Sequence, residues 1–457
     1  MNINGLVRIP GSTQRKKYFF SFDGKSLLIY KNNAIPLENY ELQENVEIKS
    51  PNYKYTYLIG EKYSKNPLCY RRNRHILFFI HDTQKLDESK DKDYSSIEGW
   101  QQTIKIKVYF YIKNYNIKNL LDIQEIHLSF PELDYFFYVN RGFKFTLDDD
   151  RKYEGLELIP YEKNKVTFKF SLKNKEINCE LGVCHCISPN PIIPFKFQSF
   201  LSLHFEKTND IDFIIKLYIV IQNLFSYLCR RKNINIDSIG LYGEEDNKII
   251  DLATLHVPSN GIKENKKDVQ KIVEYEDVKE NFPKLIQLIA DEKVCIEHLC
   301  NKKSECRTVT TGRTIAVISA FQSNIKKLYP EVAIKKGDTP EKNSEFDKNE
   351  PKEEKTVRNL KSMLNRFNDV LEPFISNLCK LNNVPRISNA DIAKSSTRQR
   401  NTYAHGYIQT KENENFLLSF IIVEYLNYCM VLKYAGYDDS SIKKIIKGIY
   451  GLESLDV

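Results

Sequence analysis

The chain has 457 residues, of which 41% are hydrophobic, 28% charged and 12% aromatic, with 28 Tyr and 26 Phe against a single Trp. That balance excludes a wholly disordered or collagen-like polypeptide, and at about 150 residues per domain the length corresponds to roughly two to four domains. The formal charge of +8 admits a polyanionic partner without requiring one.

Residues 1–10 carry no basic stretch followed by a long apolar run, so no secretory leader is expected. The most apolar segment, residues 213–228, contains Lys216, Gln222 and Asn223 and is shorter than a bilayer span of about 20 residues. Ten cysteines in a chain of this length are no disulfide framework. The expectation is a cytoplasmic protein with reduced thiols and no membrane contact. Abundant Lys, Asn, Ile and Tyr fits an AT-rich genome, which accounts for part of the basic bias without any function.

The first half has the period of strands. Residues 75–80 form a continuous apolar run, as in a central strand, and residues 82–96 are polar turn material. Ile104, Ile106, Val108, Phe110 and Ile112 alternate with polar or half-polar neighbours, the pattern of a half-buried strand. Phe143, Phe145 and Leu147 repeat it after Asn140-Arg141-Gly142, and Val166, Phe168, Phe170 and Leu172 repeat it again. An antiparallel β-rich domain over residues 1–190 follows.

At the prolines of residues 189–194 the texture changes. Asn209 or Asp210 is placed to cap a buried helix over 211–231, and residues 234–242 return to strand pattern within a region that extends to residue 282. From residue 283 to the end the spacing is helical. Leu285, Leu288, Ile289 and Ile296 mark one helix; Val317, Ile318, Phe321, Ile325 and Leu328 mark another, ended by Pro330. Apolar residues from Val357 to Leu378 predict a long helix that Pro373 kinks or splits. Residues 416–435 form a last long helix with Gly436 as its C-terminal cap. Residues 335–355 hold one large apolar residue, Phe346, and are expected to be a flexible loop. The fold class is α+β, and there is no internal repeat.

The segment with chemistry is Arg398-Gln399-Arg400-Asn401-Thr402-Tyr403-Ala404-His405-Gly406. Ser388 or Asp391 can start a helix here and Gly406 can end it. Asn401 and His405, four apart, lie about 40° apart on one helical face, and Arg400 lies about 140° from His405, within reach through its long side chain. An imidazole can move a proton at neutral pH, and a guanidinium can hold phosphate oxygens as charge builds. Those parts suit phosphodiester cleavage without a metal or cofactor, although an Arg and a His on one helix also arise by chance.

The segment Arg400-Asn401-Thr402-Tyr403-Ala404-His405 is similar to the R-x4-6-H motif of HEPN ribonucleases, in the form with Asn after Arg. Residues 194–242, with Phe200-Leu201-Ser202-Leu203, resemble the N-terminal domain of ApeA-type HEPN proteins. Leu432-Lys433-Tyr434-Ala435-Gly436 and the following residues 442–448 resemble that family's C-terminus. The resemblance covers most of the chain, strongest at residues 190–245 and 385–450. It implies an all-α HEPN bundle after the β-rich domain, and a homodimer with two motif helices across a shared cleft. It also implies metal-independent RNA cleavage leaving a 2′,3′-cyclic phosphate and a 5′-hydroxyl, which would refuse DNA for lack of the attacking 2′-hydroxyl. The implied setting is anti-phage defence by abortive infection, with host RNA such as tRNA as target and a phage-derived trigger. Arg400 and His405 then take the catalytic positions and Asn401 a supporting one. Many HEPN domains add an acidic or polar residue from an earlier helix; residues 317–328 offer only Gln322 and Asn324, which can orient but cannot act as a base.

Other features are weaker. Arg398 and two basic patches, Arg71, Arg72 and Arg74 beside Tyr70 and Arg230 and Arg231 near Tyr227, fit RNA backbone contact. Cys295, His298, Cys300 and Cys306, or Cys179, Cys184, His185 and Cys186, lack the paired arms of a zinc site, so packed thiols are expected and no metal. The competing functional readings are a non-catalytic RNA-binding or dimerising HEPN protein, and the partner of a separately encoded toxin or nucleotidyltransferase.

Overall fold

Alternating apolar residues make the first half of the chain a set of antiparallel strands. The computed structural model describes residues 3–8, 16–23, 26–36, 57–62, 75–80, 101–112, 122–147, 152–187, 195–236, 238–257, 264, 266–270, 272–333, 355–404 and 415–450. Six strands come first: β1 (Ile3–Arg8), β2 (Lys16–Phe22), β3 (Ser26–Pro36), β4 (Tyr57–Lys62), β5 (His75–Ile80) and β6 (Gln101–Ile112). Strand β1 pairs with β2 and β4, β2 with β3, β3 with β6, β6 with β5, and β5 with β4. The six therefore close into a ring, which removes the open edges a flat sheet would leave. Phe20 and Phe22 face Ile29 and Leu27 across β2 and β3, and all four are buried. The apolar run expected as a central strand is β5, which has a neighbour on each side.

Eight further strands follow: β7 (Ile123–Leu128), β8 (Phe143–Leu147), β9 (Tyr153–Leu158), β10 (Val166–Leu172), β11 (Lys175–Ile187), β12 (Phe195–Thr208), β13 (Ile239–Glu245) and β14 (Lys248–His256). Strands β8 and β9 form a separate two-stranded ribbon. The rest run in the order β10-β11-β12-β7-β13-β14-β6. The long β6 joins the two parts, pairing with β3 near its start and with β14 near its end. Two hairpins turn through left-handed residue pairs, Lys173-Asn174 between β10 and β11 and Asp246-Asn247 between β13 and β14. Two successive positive φ angles match the twist of the flanking strands.

The short helices α1 (Pro131–Phe136) and α2 (Tyr161–Asn164) lie along the sheet, and α3 (Ile211–Cys229) packs in the core beside it. Asp210, one of two expected caps, makes the N-cap of α3: its carboxylate accepts the Phe213 N–H at 3.0 Å. Phe130 and Phe136 meet Phe225 of α3 edge to face. The predicted strand over 234–242 starts later, at Ile239. Before it, the N–H groups of Lys232 and Asn233 donate to the carbonyls of Cys300 and Asn301, so this backbone is satisfied by a loop instead of a ladder.

The remainder is helical: α4 (Lys266–Val269), α5 (Tyr275–Val278), α6 (Phe282–Ala290), α7 (Thr311–Leu328), α8 (Lys355–Arg366), α9 (Asn368–Leu381), α10 (Asn389–Ala404), α11 (Phe416–Ala435) and α12 (Asp439–Tyr450). Helix α11 is buried around most of its circumference, with α6, α7, α9, α10 and α12 packed on it. Helices α3 and α11 are both long and apolar enough to cross a membrane, and both lie mostly buried inside the fold. Gly436 caps α11 as expected, with φ +100°, a conformation that favours glycine.

Two helices differ from expectation. The helix expected to reach Ile296 stops at Ala290, where Glu292 turns left-handed and the Lys293 N–H closes on the Leu288 carbonyl, a Schellman-type stop. The long helix over 357–378 breaks at Phe367, not at Pro373, which sits inside α9. The Phe367 ring, at the break, lies edge-on to Tyr329. The loop expected over 335–355 lies outside the described residues apart from Lys355, which begins α8, and so do the segments 82–96 and 189–194. The architecture is α+β: an antiparallel sheet-rich region followed by C-terminal helices.

Candidate functional site

Helix α10 starts at Ser388, whose hydroxyl accepts the Asp391 N–H at 3.1 Å and whose carbonyl accepts that of Ile392. Ser388, not Asp391, is therefore the cap. The helix buries Ile392, Ala393, Ser396, Thr397 and Gln399 toward α7, α8 and α11, while Arg398 is exposed. Arg400 and Asn401 are half-buried in the last turn. The Arg400 Nη1 donates to the Asn401 Oδ1 at 2.9 Å, and the Arg400 Nε is buried without a hydrogen-bond partner among the described residues. The hydrogen bond to Asn401 fixes the direction of the guanidinium at the end of the helix. Tyr403 lies edge-on to Phe416, which puts this end of α10 at the start of α11. His405 and Gly406 lie outside the described residues, as do Arg71, Arg72 and Arg74.

The two candidate amides of α7 are already engaged. Gln322 is half-buried and its amide donates to the Thr356 Oγ1 of α8 at 2.9 Å. Asn324 is buried; its Oδ1 accepts the Cys295 N–H at 3.2 Å and its Nδ2 donates to the Asn427 Oδ1 at 3.3 Å. Asn324 thus joins α7 to α11 and is no supporting group at a surface site. Among the described residues, two buried hydroxyls on the inner side of α10, Ser396 Oγ and Thr397 Oγ1, and the Nε of Arg358 on α8 have no hydrogen-bond partner. Sequence periodicity gave no signal for these, because Ser and Thr on a helix usually face solvent.

Arg230 and Arg231 correct the expectation of a surface RNA patch. Arg231 is 0% exposed and its Nη2 donates to the Glu132 Oε1 at 2.6 Å. Arg230 is buried, pairs with Glu424, and has its guanidinium 3.9 Å from the Tyr450 ring centroid. Arg313 donates to the other oxygen of Glu424 at 2.7 Å. Burial opposes the charge on Glu424, but Arg230 and Arg313 outweigh it and hold its carboxyl below the usual carboxylate range. These arginines tie α3, α7 and α11 together. The signal for this in sequence was Glu424 itself, the lone carboxylate in an otherwise apolar helix.

No protein-family model matches the chain, and no curated protein matches it.

The suggested zinc ligands do not come together. Strand alternation puts Cys179 on the opposite face of β11 from Cys184. His298 is buried beside Glu424, with neither ring nitrogen hydrogen-bonded among the described residues. Among the described residues no three His, Cys, Asp or Glu side chains converge on a metal position. Burial pushes His298 down to about 4 from its ordinary 6.5, with Glu424 opposing and Arg230 and Arg313 adding to the effect. Because the folded value is the lower one, the unfolded chain takes up this proton first as pH falls. Stability is full above about pH 6.5 and drops toward pH 4, by about 3 kcal/mol if the whole shift is expressed. Urea midpoints measured across that window should fall, and His298→Phe should remove this part of the slope. Identical slopes in the two proteins would contradict the assignment.

Proposed function

We propose that the chain is a HEPN-type endoribonuclease that cuts host RNA in the cytoplasm during anti-phage defence. The observation that carries this reading is the Arg400–Asn401 pair in the last described turn of α10, with the Arg400 Nη1 held by the Asn401 amide oxygen and His405 five residues after Arg400 in sequence. In the proposed reaction His405 exchanges the proton of the 2′-hydroxyl or the leaving oxygen, and Arg400 neutralises the scissile phosphate as negative charge grows. Asn401 positions the Arg400 guanidinium by the hydrogen bond it already makes. The all-α HEPN bundle would be α6 to α12, and two copies would face their α10 helices across a dimer cleft. The products would be a 2′,3′-cyclic phosphate and a 5′-hydroxyl, and tRNA, with its abundant exposed loops, is the target class favoured.

The engaged amides of Gln322 and Asn324 favour a second reading, a dimerising RNA-binding protein without catalysis, since neither is left to complete a catalytic set. Incubating purified protein with total tRNA in the presence of a chelator separates the two. Cleavage to 5′-hydroxyl ends by wild type and none by His405→Ala supports the nuclease; RNA retention without cleavage by either protein supports the binding module.

A further inference from the structure

The face of the large sheet turned away from α3 carries a row of aromatic rings. Leu203, Ile126, Leu241 and Ala253 are buried cross-strand partners on β12, β7, β13 and β14, and Phe205, on the same face as Leu203, meets Phe213 of α3. Their neighbours along each strand therefore face the other way. On that outer face Tyr161 and Phe200 stack with centroids 4.9 Å apart, His127 lies 6.1 Å from Phe200, and Tyr242 lies 4.2 Å from His127. Two of the rings rest on the sheet where a glycine leaves room. A Cβ on Gly182 would meet the Tyr161 ring, and one on Gly240 would lie 2.7 Å from the Tyr242 ring. All four rings are half-buried, so each keeps part of its surface open to solvent.

Two carboxylates within the row are paired on the face itself. Glu125 is buried, hydrogen-bonds His127 and lies 3.6 Å from the His204 Nδ1. Glu180 accepts the Tyr161 hydroxyl at 3.1 Å and pairs with Lys165. A third, Asp251, is half-buried opposite Tyr242. Register extends the row toward the first six strands. Gly240 is opposite Thr254, Thr254 is opposite Tyr111 of β6, and His256 is opposite Tyr109. Tyr109 and Tyr111 thus share the outer face, and alternation puts Lys105 and Lys107 of β6 on it as well. Ile104, from the other set of β6 positions, is opposite the buried Leu27.

We propose that this face binds single-stranded RNA, with bases stacked on Tyr242, His127 and the rings beside them, and Lys105 and Lys107 holding backbone phosphates. Stacking needs the π-face of an unpaired base and no particular sequence, so the face takes unstructured strands in preference to duplex. Lysines alternating with tyrosines on one strand match a polyanion that carries flat bases. A neutral sugar would use the rings and leave Lys105 and Lys107 without a counter-charge. The choice of RNA rests on the nuclease reading, in which the β-rich region holds the strand that Arg400 and His405 cut; the row of rings does not depend on it.

The test measures fluorescence anisotropy of a labelled, unstructured 2′-O-methyl RNA strand, which the proposed cleavage cannot consume, with the full-length protein. The same strand annealed to its complement is measured beside it and should bind more weakly. Tyr242→Ala and Tyr111→Ala should each weaken single-strand binding by about five- to a hundred-fold, the loss of one base stack, and Tyr242→Phe should retain it. Lys105→Gln combined with Lys107→Gln should lower the slope of log affinity against log salt by about 1.4, at about 0.7 for each phosphate contact. The lysine pair decides the matter even where loss of Tyr242 disturbs the sheet. Equal binding by wild type and all variants, equal binding of single strand and duplex, or retention of a neutral polysaccharide in place of RNA would overturn the assignment. Ring-dependent binding by a protein that cuts no RNA would uphold this face and remove the nuclease reading. Cleavage of ordinary RNA with binding indifferent to the rings and lysines would do the reverse.

Discussion

Replacing Glu424 with Ala is expected to cost about 3–5 kcal/mol of folding stability. The carboxylate is 1% exposed and holds Arg230 and Arg313, one on each oxygen. Removing it leaves two buried guanidinium groups with no counter-charge, and desolvation of each then goes uncompensated. Against a typical total of about 5–15 kcal/mol, the loss would leave a protein barely folded at 37 °C. Urea unfolding followed by circular dichroism gives the number directly. If lost contact area were the whole cause, replacing all three residues by apolar ones, Glu424→Leu with Arg230→Met and Arg313→Met, would be worse still. If uncompensated charge is the cause, that triple variant recovers much of the loss. A Glu424→Ala cost below about 1 kcal/mol would show that the cluster is solvated in solution.

Arg400→Ala and His405→Ala are each expected to reduce RNA cleavage by about two to four orders of magnitude. For Arg400 the argument is electrostatic. Its side chain is half-buried and oriented by Asn401, and among the described residues no carboxylate pairs with it. Arg400→Lys keeps the charge but loses the planar donor geometry, and activity between that of wild type and Arg400→Ala is the expected result. His405→Ala removes the only group of the motif that titrates near neutrality. Melting temperatures within a few degrees of wild type would show that the losses are chemical. Unchanged cleavage by either Ala variant would remove that residue from the mechanism.

Local signals in the sequence were read well where the cause is itself local. Asp210 and Gly436 cap the helices expected of them, and the alternation at 104–112, 143–147 and 166–172 forms strands β6, β8 and β10. What failed depends on contacts distant in sequence. Ring closure through β1–β4 and β5–β6 joins segments whose partners no single strand pattern identifies. Proline disrupts a helix interior, so Pro373 is the local signal for a break, yet it lies inside α9 and the break falls at Phe367. Arg230 and Arg231 looked like surface charge because their partners, Glu424 and Glu132, lie about 194 and 99 residues away, separations that stability of buried ion pairs does not restrict. The same holds for Asn324, whose partner Asn427 is on another helix. The motif helix was legible through its cap and its Arg-Asn pair, while the engaged state of Gln322 was not, because Thr356 lies across the bundle.

The central claim is that Arg400 and His405 make this chain cut RNA. The most direct test is to sequence RNA 5′-hydroxyl ends from cells expressing wild type or His405→Ala, with and without phage challenge. Discrete new ends seen only with wild type, and stronger after infection, are the predicted result and would name the substrate at the same time. The same ends from both proteins under every condition would contradict the nuclease account.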